Sequence, residues 1–381
     1  MQFRDLQKQY QVLKADIDSR IMSVCSAAHY ISGQEVFELE KQLAEYVGVK
    51  HCITCANGTD AITLAIRAWG IGRGDAVFVP DFTFFSSGEC PANEGATCIF
   101  VDVDRYTYNI DPVKLEEAIE KVRTEGKLMP RAVITVDLFG QPADYMTIKQ
   151  ICNKYNLLLL EDGAQGFGGS IDGKLACSFG DISTTSFFPA KPLGCYGDGG
   201  AVFTDNDEWA DLIRSYAVHG KAGDDKYNNI RLGLNSRLDT IQAAILQVKF
   251  KAFVDYELDN INKVADLYHE EFCKAALEQK LILPYVKRGF RSSWAQYTIQ
   301  LPDYVDRNKV QLALKEKSIP TMVYYMKPMH QQGAFERTDS AAADCEVTID
   351  LCNKVLSLPM HPYMTEEQVK KVVSELERLL L

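Results

Sequence analysis

Ser186-Phe187-Phe188-Pro189-Ala190-Lys191 is the stretch of sequence that decides the fold, because a short predicted strand ends there and an irregular segment carries a lysine beyond it. Two other segments have a similar character. Glu161-Asp162-Gly163-Ala164-Gln165 places acidic side chains at the end of an aliphatic run, and Gly197-Asp198-Gly199-Gly200 precedes the next strand. These segments predict polar side chains gathered at the ends of buried strands.

Outward from these segments, short apolar strands alternate with stretches that suit helices, such as 144–155. Alternation of this kind predicts an α/β fold, in which a mostly parallel sheet is covered by helices on both faces. The predicted strands are 52–56, 76–80, 97–103, 132–138, 157–162, 182–188 and 201–204.

The length of the chain predicts two domains. Its 381 residues exceed the usual size of one domain, which is about 100 to 200 residues. The stretch 238–273 is rich in helix, and beyond it a strand at 294–301 and a helix at 306–317 indicate a smaller α+β unit. We therefore expect a large domain at 1–250 and a small C-terminal domain at 251–381.

Composition and charge disfavour several classes of function. The formal net charge of −11 and a pI near 5.2 argue against nucleic acid and anionic membranes as partners. No apolar leader opens the sequence and no aliphatic run is long enough to span a bilayer, so we expect a soluble, cytoplasmic protein. The 11 scattered cysteines indicate reduced thiols. Cys52 and Cys55 form a CxxC without a second pair, so no metal site is expected.

The candidate ligand site follows from the predicted sheet. Open parallel sheets bind ligands beyond the carboxyl ends of their strands. Gly58 and Thr59 can offer backbone N–H groups and a hydroxyl to a phosphate, although an ordinary helix cap has the same composition. Ser186 either adds a second hydroxyl or simply ends its strand. The residues expected in the crevice are Gly58, Thr59, Asp162, Ser186 and Lys191.

A lysine and an aspartate in one crevice suggest pyridoxal phosphate as the cofactor. The amine of Lys191 can hold the cofactor aldehyde as a Schiff base, and the carboxylate of Asp162 can keep the pyridine nitrogen protonated. The alternatives are a structural ion pair for Asp162 and a solvated surface position for Lys191. Phe84 can stack on the cofactor ring, or it can belong to the core.

Four motifs carry a resemblance to a known family. They are Asn57-Gly58-Thr59-Asp60-Ala61, Glu161-Asp162-Gly163-Ala164-Gln165, Ser186-Phe187-Phe188-Pro189-Ala190-Lys191 and Gly233-Leu234-Asn235-Ser236-Arg237. Together they resemble the DegT/DnrJ family of nucleotide-sugar aminotransferases over nearly the whole chain. The resemblance implies the fold of the aspartate aminotransferase superfamily, which is fold type I of the pyridoxal phosphate enzymes. It also implies a homodimer with its two active sites at the subunit interface.

The resemblance implies a role for each matching residue. Lys191 binds the cofactor covalently, Asp162 contacts the pyridine nitrogen, and Gln165 lies near the phenolic oxygen. Related dehydratases carry histidine in place of Lys191, so the lysine predicts transamination, with pyridoxamine phosphate as the intermediate form of the cofactor. The implied phosphate binders are Gly58, Thr59, Ser186 and, across the subunit interface, Asn235, and the implied stacking residue is Phe84.

Within the family, the segments 187–200 and 294–299 resemble enzymes that aminate the 3-keto carbon of UDP-linked N-acetyl sugars, especially 3-keto uronic acids. The resemblance implies L-glutamate as the amino donor and a role in making sugars of surface polysaccharides such as lipopolysaccharide O-antigen. Interface or loop packing is the alternative for every candidate substrate residue. These candidates are Arg237, Tyr325, His330 and Tyr30, with His29 and Arg291 as further candidates without an assigned role.

Other functions stay open at this point. Within the family, the alternative is an aminotransferase for a 4-keto or a dTDP-linked sugar. The alternative of another class is a non-catalytic regulatory protein that binds the cofactor on the same fold, and lyase or dehydratase chemistry is a third. A nicotinamide-dependent dehydrogenase is disfavoured, because no GxGxxG follows the first strand.

Overall fold

A mostly parallel β-sheet organises the chain. The structure is a computed structural model that describes residues 1–223, 225 and 227–380. Its strands are β1 (His51–Cys55), β2 (Asp75–Pro80), β3 (Thr97–Val101), β4 (Met129–Val136), β5 (Leu158–Asp162), β6 (Ser170–Ile171), β7 (Lys174–Leu175), β8 (Ile182–Ser186), β9 (Gly200–Thr204), β10 (Phe290–Arg291), β11 (Tyr297–Gln300), β12 (Ala341–Ala342) and β13 (Val355–Leu358). Its α-helices are α1 (Leu6–Ala27), α2 (Gln34–Val47), α3 (Gly58–Ala68), α4 (Ser86–Asn93), α5 (Pro112–Glu125), α6 (Tyr145–Tyr155), α7 (Asp207–Ala217), α8 (Thr240–Ala252), α9 (Leu258–Lys274), α10 (Arg307–Glu316), α11 (Glu346–Lys354) and α12 (Glu366–Leu380).

The large sheet has the strand order β1-β9-β8-β5-β4-β2-β3-β12. Strand β9 runs antiparallel to both of its neighbours, and the other pairings are parallel. The predicted parallel sheet is therefore confirmed. Several strands end a residue or two earlier than the sequence predicts, since β3 ends at Val101 and β8 ends at Ser186.

Helices cover both faces of this sheet, because consecutive strand residues point to opposite sides. On one face, Ile134 and Leu160 belong to the apolar cluster built with α3 and α7. On the other face, Val133 and Leu159 belong to the cluster built with α5 and α6. The strands are apolar on both sides for this reason, as parallel strands covered by two helix layers are.

A long helical segment leads from the large sheet to the C-terminal part of the chain. Helix α8 continues through a π-helical turn, Phe253–Glu257, directly into α9. The domain boundary that the sequence predicts near residue 250 falls inside this segment, and the division into 1–250 and 251–381 stays a prediction.

The C-terminal part contains the antiparallel pair β11 and β13, which shares an apolar cluster with α9, α10 and α12. The predicted strand at 294–301 is shorter, since β11 covers only Tyr297–Gln300. Strand β12 leaves this unit and pairs in parallel with β3 at the edge of the large sheet. Residues beyond 250 thus complete a sheet that the earlier residues begin.

The sequence pattern does not predict α1, whose buried face consists only of Gln9, Leu13, Ile17 and Val24. The cysteines of the described residues are free thiols, and all of them except Cys25 and Cys273 are buried. Within the same residues, no helix combines the length and the apolar character needed to cross a membrane.

Candidate active site

The start of α3 and the end of β8 meet at one point of the crevice. Asn57 caps α3, since its Oδ1 accepts a hydrogen bond from a first-turn backbone N–H at 2.8 Å. A Cβ atom on Gly58 would lie 2.7 Å from the Cβ of Ser186, so glycine is required for this close approach. Thr59 Oγ1 lies 2.7 Å from Ser86 Oγ at the start of α4. The structure therefore brings the predicted phosphate-binding residues of this subunit to the first turn of α3.

Asp162 ends β5 with its side chain buried at 6% exposure. Ser87 Oγ donates a hydrogen bond to Oδ2 at 3.1 Å, and the backbone N–H of Ala164 donates to Oδ1 at 3.1 Å. Burial raises the pKa of Asp162, while these hydrogen bonds and the positive charge of Lys191 act to lower it. A carboxylate accepts about four hydrogen bonds, so a cationic N–H group still has a place to bind.

Lys191 lies in the irregular segment after β8, as the sequence predicts. Its backbone N–H donates to the carbonyl of Phe188 at 2.9 Å, and its own carbonyl accepts from Arg4 Nη2 at 3.0 Å. Burial lowers the pKa of the Lys191 amine, the Asp162 carboxylate opposes this shift, and Arg4 adds to it. Lys191 and Asp162 are therefore close enough for each to act on the charge of the other.

Gln165 is held in one orientation between the crevice and Tyr325. Its Oε1 accepts from the backbone N–H of Phe139 at 2.9 Å, and its Nε2 donates to Tyr325 Oη at 3.3 Å. Ser293 Oγ donates to the carbonyl of Gln165 at 2.6 Å. Burial raises the pKa of the Tyr325 phenol, and the Asp162 carboxylate adds to that shift. Tyr325 is thus a neutral phenol that contacts one predicted cofactor residue and lies near another.

His330 forms a pair with Asp81 that the sequence analysis does not predict. His330 Nδ1 lies 2.6 Å from Asp81 Oδ2, and the backbone N–H of His330 donates to Oδ1 at 2.8 Å. Asp81 is fully buried, and burial raises its pKa while His330 acts to lower it. We assign the ring hydrogen to Nδ1, since a carboxylate partner favours that tautomer. The Nε2 atom of the half-buried ring is then the nitrogen left to meet a ligand.

Other predicted residues are exposed in the single chain. Phe84 is 55% exposed and Tyr30 is 47% exposed, and Asn235 and His29 are also exposed. Exposure is compatible with residues that a second subunit or a ligand covers. The roles given to them stay predictions.

Arg237 lies beside the start of α3, whereas Arg291 lies elsewhere. Ser236, next to Arg237, is fully buried and accepts from the backbone N–H of Ala56 at 3.1 Å. Arg237 Nε is buried, and no hydrogen-bond partner for it lies among the described residues. Arg291 instead forms an ion pair with Asp259 at 2.5 Å. The structure thus gives Arg237 an unused donor near the crevice and gives Arg291 a partner of its own.

Three contacts at the site escape the sequence analysis. Ser87 reaches Asp162, Asp81 reaches His330, and Arg4 reaches the backbone of Lys191. All three contacts join segments at least 75 positions apart in sequence, which periodicity does not reveal.

The α/β sheet has a lysine, a carboxylate and a helix N-terminus near the carboxyl ends of its strands. This arrangement is typical of the class of proteins that bind a ligand in the crevice of an open sheet. The sequence model of the DegT/DnrJ/EryC1/StrS aminotransferase family matches residues 11–377. The chain therefore belongs to this family. The family that the sequence motifs predict is confirmed.

Several relatives are similar over their full length. A Pseudomonas aeruginosa protein named UDP-2-acetamido-2-deoxy-3-oxo-D-glucuronate aminotransferase is 42% identical over 99% of this chain and 99% of its own. A Geobacillus stearothermophilus protein named pleiotropic regulatory protein is 39% identical over 98% of this chain and 96% of its own. An Acidithiobacillus ferrooxidans protein named UDP-N-acetyl-3-dehydro-alpha-D-glucosamine 3-aminotransferase is 38% identical over 99% of this chain and 97% of its own.

Solved structures share the fold. A Brucella abortus DegT DnrJ EryC1 StrS aminotransferase has a TM-score of 0.95 at 43% identity, covering 100% of this chain and 99% of its own. The Bacillus subtilis protein NtdA, solved with bound cofactor PMP, has a TM-score of 0.87 at 29% identity, covering 97% of this chain and 82% of its own. The predicted fold, type I of the pyridoxal phosphate enzymes, is confirmed.

Proposed function

We propose that the protein is a pyridoxal phosphate-dependent aminotransferase of the EC 2.6.1 type. It transfers the amino group of L-glutamate to the 3-keto carbon of a UDP-linked 2-acetamido-2-deoxyhexose or -hexuronic acid. The observation that carries the proposal is the buried, partly satisfied carboxylate of Asp162 at the end of β5, whose charge acts on the amine of Lys191 in the segment after the neighbouring strand β8. The choice of substrate is supported by relatives at 42% and 38% identity that are named for 3-oxo and 3-dehydro UDP sugars.

The residues of the crevice fit this cofactor. The first turn of α3, with Gly58, Thr59 and the adjacent Ser186, offers N–H groups and hydroxyls to a phosphate. Asp162 has accepting capacity for a pyridinium N–H, and Lys191 offers an amine. When bound, the cofactor supplies an electron sink that makes the α-carbon proton of an amino donor acidic.

Lys191 is suited to carry a proton in this reaction. Its lowered pKa increases the fraction of neutral amine near neutral pH, which is the form that accepts a proton. The Asp162 carboxylate keeps the amine basic enough to hold that proton. Gln165 is fixed by its hydrogen bond from the backbone N–H of Phe139, so its amide would present a constant orientation to a bound cofactor.

We assign recognition of the sugar nucleotide to four residues. Arg237 brings an unused buried donor and a planar guanidinium, which suits a uronic acid carboxylate or a phosphate. His330 presents Nε2 because Asp81 engages Nδ1. The remaining members are Tyr325 and Tyr30, and Phe84 is assigned to stacking on the cofactor ring.

The active unit is a homodimer in this proposal, with Asn235 of the partner subunit completing the phosphate site. Support comes from apolar side chains that are exposed next to Asn235 in the single chain, namely Ile230 at 57% and Leu232 at 93%. We place the enzyme in the cytoplasm, because its many free thiols suit a reducing compartment. Its product would serve the synthesis of surface polysaccharides such as lipopolysaccharide.

One experiment tests the proposal directly. The purified protein is loaded with pyridoxal phosphate and given L-glutamate, and release of 2-oxoglutarate is followed. A panel of 3-keto and 4-keto sugar nucleotides, linked to UDP or dTDP, is then tested for return of the original cofactor absorbance. We expect release of one 2-oxoglutarate per site and recovery with the UDP-linked 3-keto sugar. Recovery with a 4-keto sugar alone would contradict the substrate assignment.

A regulatory protein without catalysis is the second candidate, because the relative at 39% identity is named a pleiotropic regulatory protein. The same experiment separates the two functions. A cofactor-binding regulator would bind pyridoxal phosphate in stoichiometric amount and release no 2-oxoglutarate.

A further inference from the structure

Arg4, close to the first residue of the sequence, binds the backbone at Lys191. Arg4 Nη2 donates to the carbonyl of Lys191 at 3.0 Å and to that of Pro192 at 3.5 Å. These carbonyls belong to an irregular segment, where no strand or helix ladder supplies partners. A guanidinium carries several donors in one plane, so it can satisfy adjacent carbonyls and fix the direction of the chain between them.

Arg4 is itself part of a buried charged cluster. Burial lowers the pKa of Arg4 to about 10, and the charge of Glu257 opposes that shift. Glu257 lies in the π-helical turn between α8 and α9, where its carboxylate accepts from Gln9 Nε2 at 2.8 Å and from Tyr363 Oη at 2.5 Å. The carboxylate that balances Arg4 is therefore fixed by groups from α1 and from the loop before α12.

A second cation lies in the same region. Lys249 is buried with its Nζ 5.1 Å from the centre of the Tyr196 ring. Burial lowers the pKa of Lys249 to about 8, and Glu257 opposes this shift while Arg4 adds to it. His361 is also buried, both of its ring nitrogens lack hydrogen-bond partners among the described residues, and burial lowers its pKa to about 4. The charge of Glu257 thus acts on both Arg4 and Lys249, and the charge of Asp5 acts on His361.

We propose that Arg4 is a positioning residue for Lys191, which binds the carbonyls of Lys191 and Pro192, fixes the backbone there and places a positive charge close to the lysine. The inference rests on the proposed function, in which Lys191 binds the cofactor. Burial lowers the pKa of the Lys191 amine, the charge of Asp162 opposes this shift, and the charge of Arg4 adds to it. Removing the charge of Arg4 should therefore raise the proton affinity of the amine.

Two substitutions separate the backbone contact from the charge. Arg4→Met removes both, whereas Arg4→Lys keeps the charge and loses the planar fork. Arg20→Met is the matched control, because Arg20 also lies at the start of the chain, on α1, and its guanidinium bonds Gln247 rather than the lysine segment. The full-length proteins are loaded with pyridoxal phosphate for three measurements: the cofactor dissociation constant, the pH midpoint of the visible absorbance of the lysine-bound cofactor, and the rate of the half-reaction with glutamate.

For Arg4→Met we expect the pH midpoint to rise by about one unit, because a positive charge that disfavours protonation is gone. The half-reaction should slow about tenfold at saturating glutamate with an unchanged KM, since the lysine is misplaced rather than the donor site. Arg4→Lys should show the slow half-reaction with a midpoint near that of the wild type. Arg20→Met should match the wild type in every measurement.

A wild-type midpoint and a wild-type rate in Arg4→Met would overturn the inference. If Arg4→Met does not fold, Arg4→Lys decides, and a wild-type rate in that variant would overturn the positioning role. Borohydride trapping of the wild type keeps the two hypotheses apart. Failure to label Lys191 there would refute the proposed function, whereas labelled wild type with unaffected Arg4 variants refutes only the role of Arg4.

Discussion

Glu161 and Asp162 are neighbours on β5, yet their carboxylates meet opposite sides of the sheet and very different surroundings. Glu161 accepts from the backbone N–H groups of Cys177 at 2.5 Å and Phe179 at 2.6 Å and from Ser183 Oγ at 2.8 Å, with a further backbone N–H at 3.1 Å. Among the residues that the structure describes, Asp162 has two donors, both at 3.1 Å. Both side chains are buried.

The difference teaches how to tell a structural carboxylate from one that awaits a ligand. Four donors use the accepting capacity of Glu161, which therefore holds the loop at 177–180 in place. Asp162 keeps capacity free and faces the crevice that contains Lys191. An incompletely satisfied buried carboxylate is costly unless a partner arrives, and the cationic nitrogen of the proposed cofactor is such a partner.

The largest effect should come from the crevice side, at Lys191. Lys191→Ala removes the amine that, in the proposed function, binds the cofactor and carries the proton, so we expect turnover to fall more than about ten-thousandfold. The fold should survive, because the side chain makes no hydrogen bond within the described residues. Release of 2-oxoglutarate measures the turnover, and circular dichroism checks that the fold survives. The matched control is Lys41→Ala, which removes a surface lysine; near-normal turnover in Lys191→Ala would show that the lysine is wrongly assigned.

Asp162→Asn should separate activity from stability on the same side. The amide cannot balance a pyridinium charge, and we expect the half-reaction with glutamate to slow roughly a thousandfold. Stability of the cofactor-free protein should change by no more than about 1 kcal/mol, because Asn still accepts one hydrogen bond and a buried charge is removed. Single-turnover kinetics and urea unfolding measure the two quantities. A large loss of stability with normal kinetics would make Asp162 a structural residue like its neighbour.

Glu161→Gln should give the reverse result. The substitution places an NH2 group against donors that need an acceptor, so we expect the free energy of unfolding to fall by about 3 kcal/mol. The half-reaction rate of the folded fraction should stay close to that of the wild type. Urea unfolding and single-turnover kinetics at constant pH compare this variant with Asp162→Asn. They test whether Glu161→Gln loses mainly stability while Asp162→Asn loses mainly rate. Parallel losses of stability and rate in both variants would break the comparison.

A smaller effect, which depends on pH, is expected at His361, which lines the same small cavity as Lys191. Burial lowers the pKa of His361 from 6.5 to about 4. Between these values the unfolded chain binds a proton that the folded chain does not, so stability is lost as the pH falls. The loss attributable to His361 should be about 2 kcal/mol between pH 7 and pH 5. Urea unfolding of the wild type and His361→Leu at both pH values checks it, and equal pH dependence in the two proteins would contradict the assignment.

Much of the fold and the centre of the site follow from the sequence. An apolar run that ends in acidic residues marks β5, and Asp162 lies at that end. The segment after the predicted strand at 182–188 is irregular, and Lys191 lies in it. Gly58 is also identifiable, because a helix start after a strand needs room for close approach. Such features depend on neighbours in sequence, and local patterns therefore reveal them.

The remaining parts of the site depend on contacts between distant segments. Arg4 meets Lys191 across 187 positions, and Asp81 meets His330 across 249. The continuity of α8 and α9 through a π-helical turn is equally hidden, because the periodicity on either side is ordinary for a helix. Only the packed chain shows which polar side chains share a buried space.

The pairing of β12 with β3 has a consequence for how the molecule comes apart. A fragment that stops at residue 250 would expose the lateral hydrogen-bonding groups of β3, and bare strands of this kind recruit other chains. The C-terminal third thus covers the edge of the large sheet with β12. Calorimetry of the intact chain should accordingly record one melting transition, in which the large sheet and the C-terminal part unfold together.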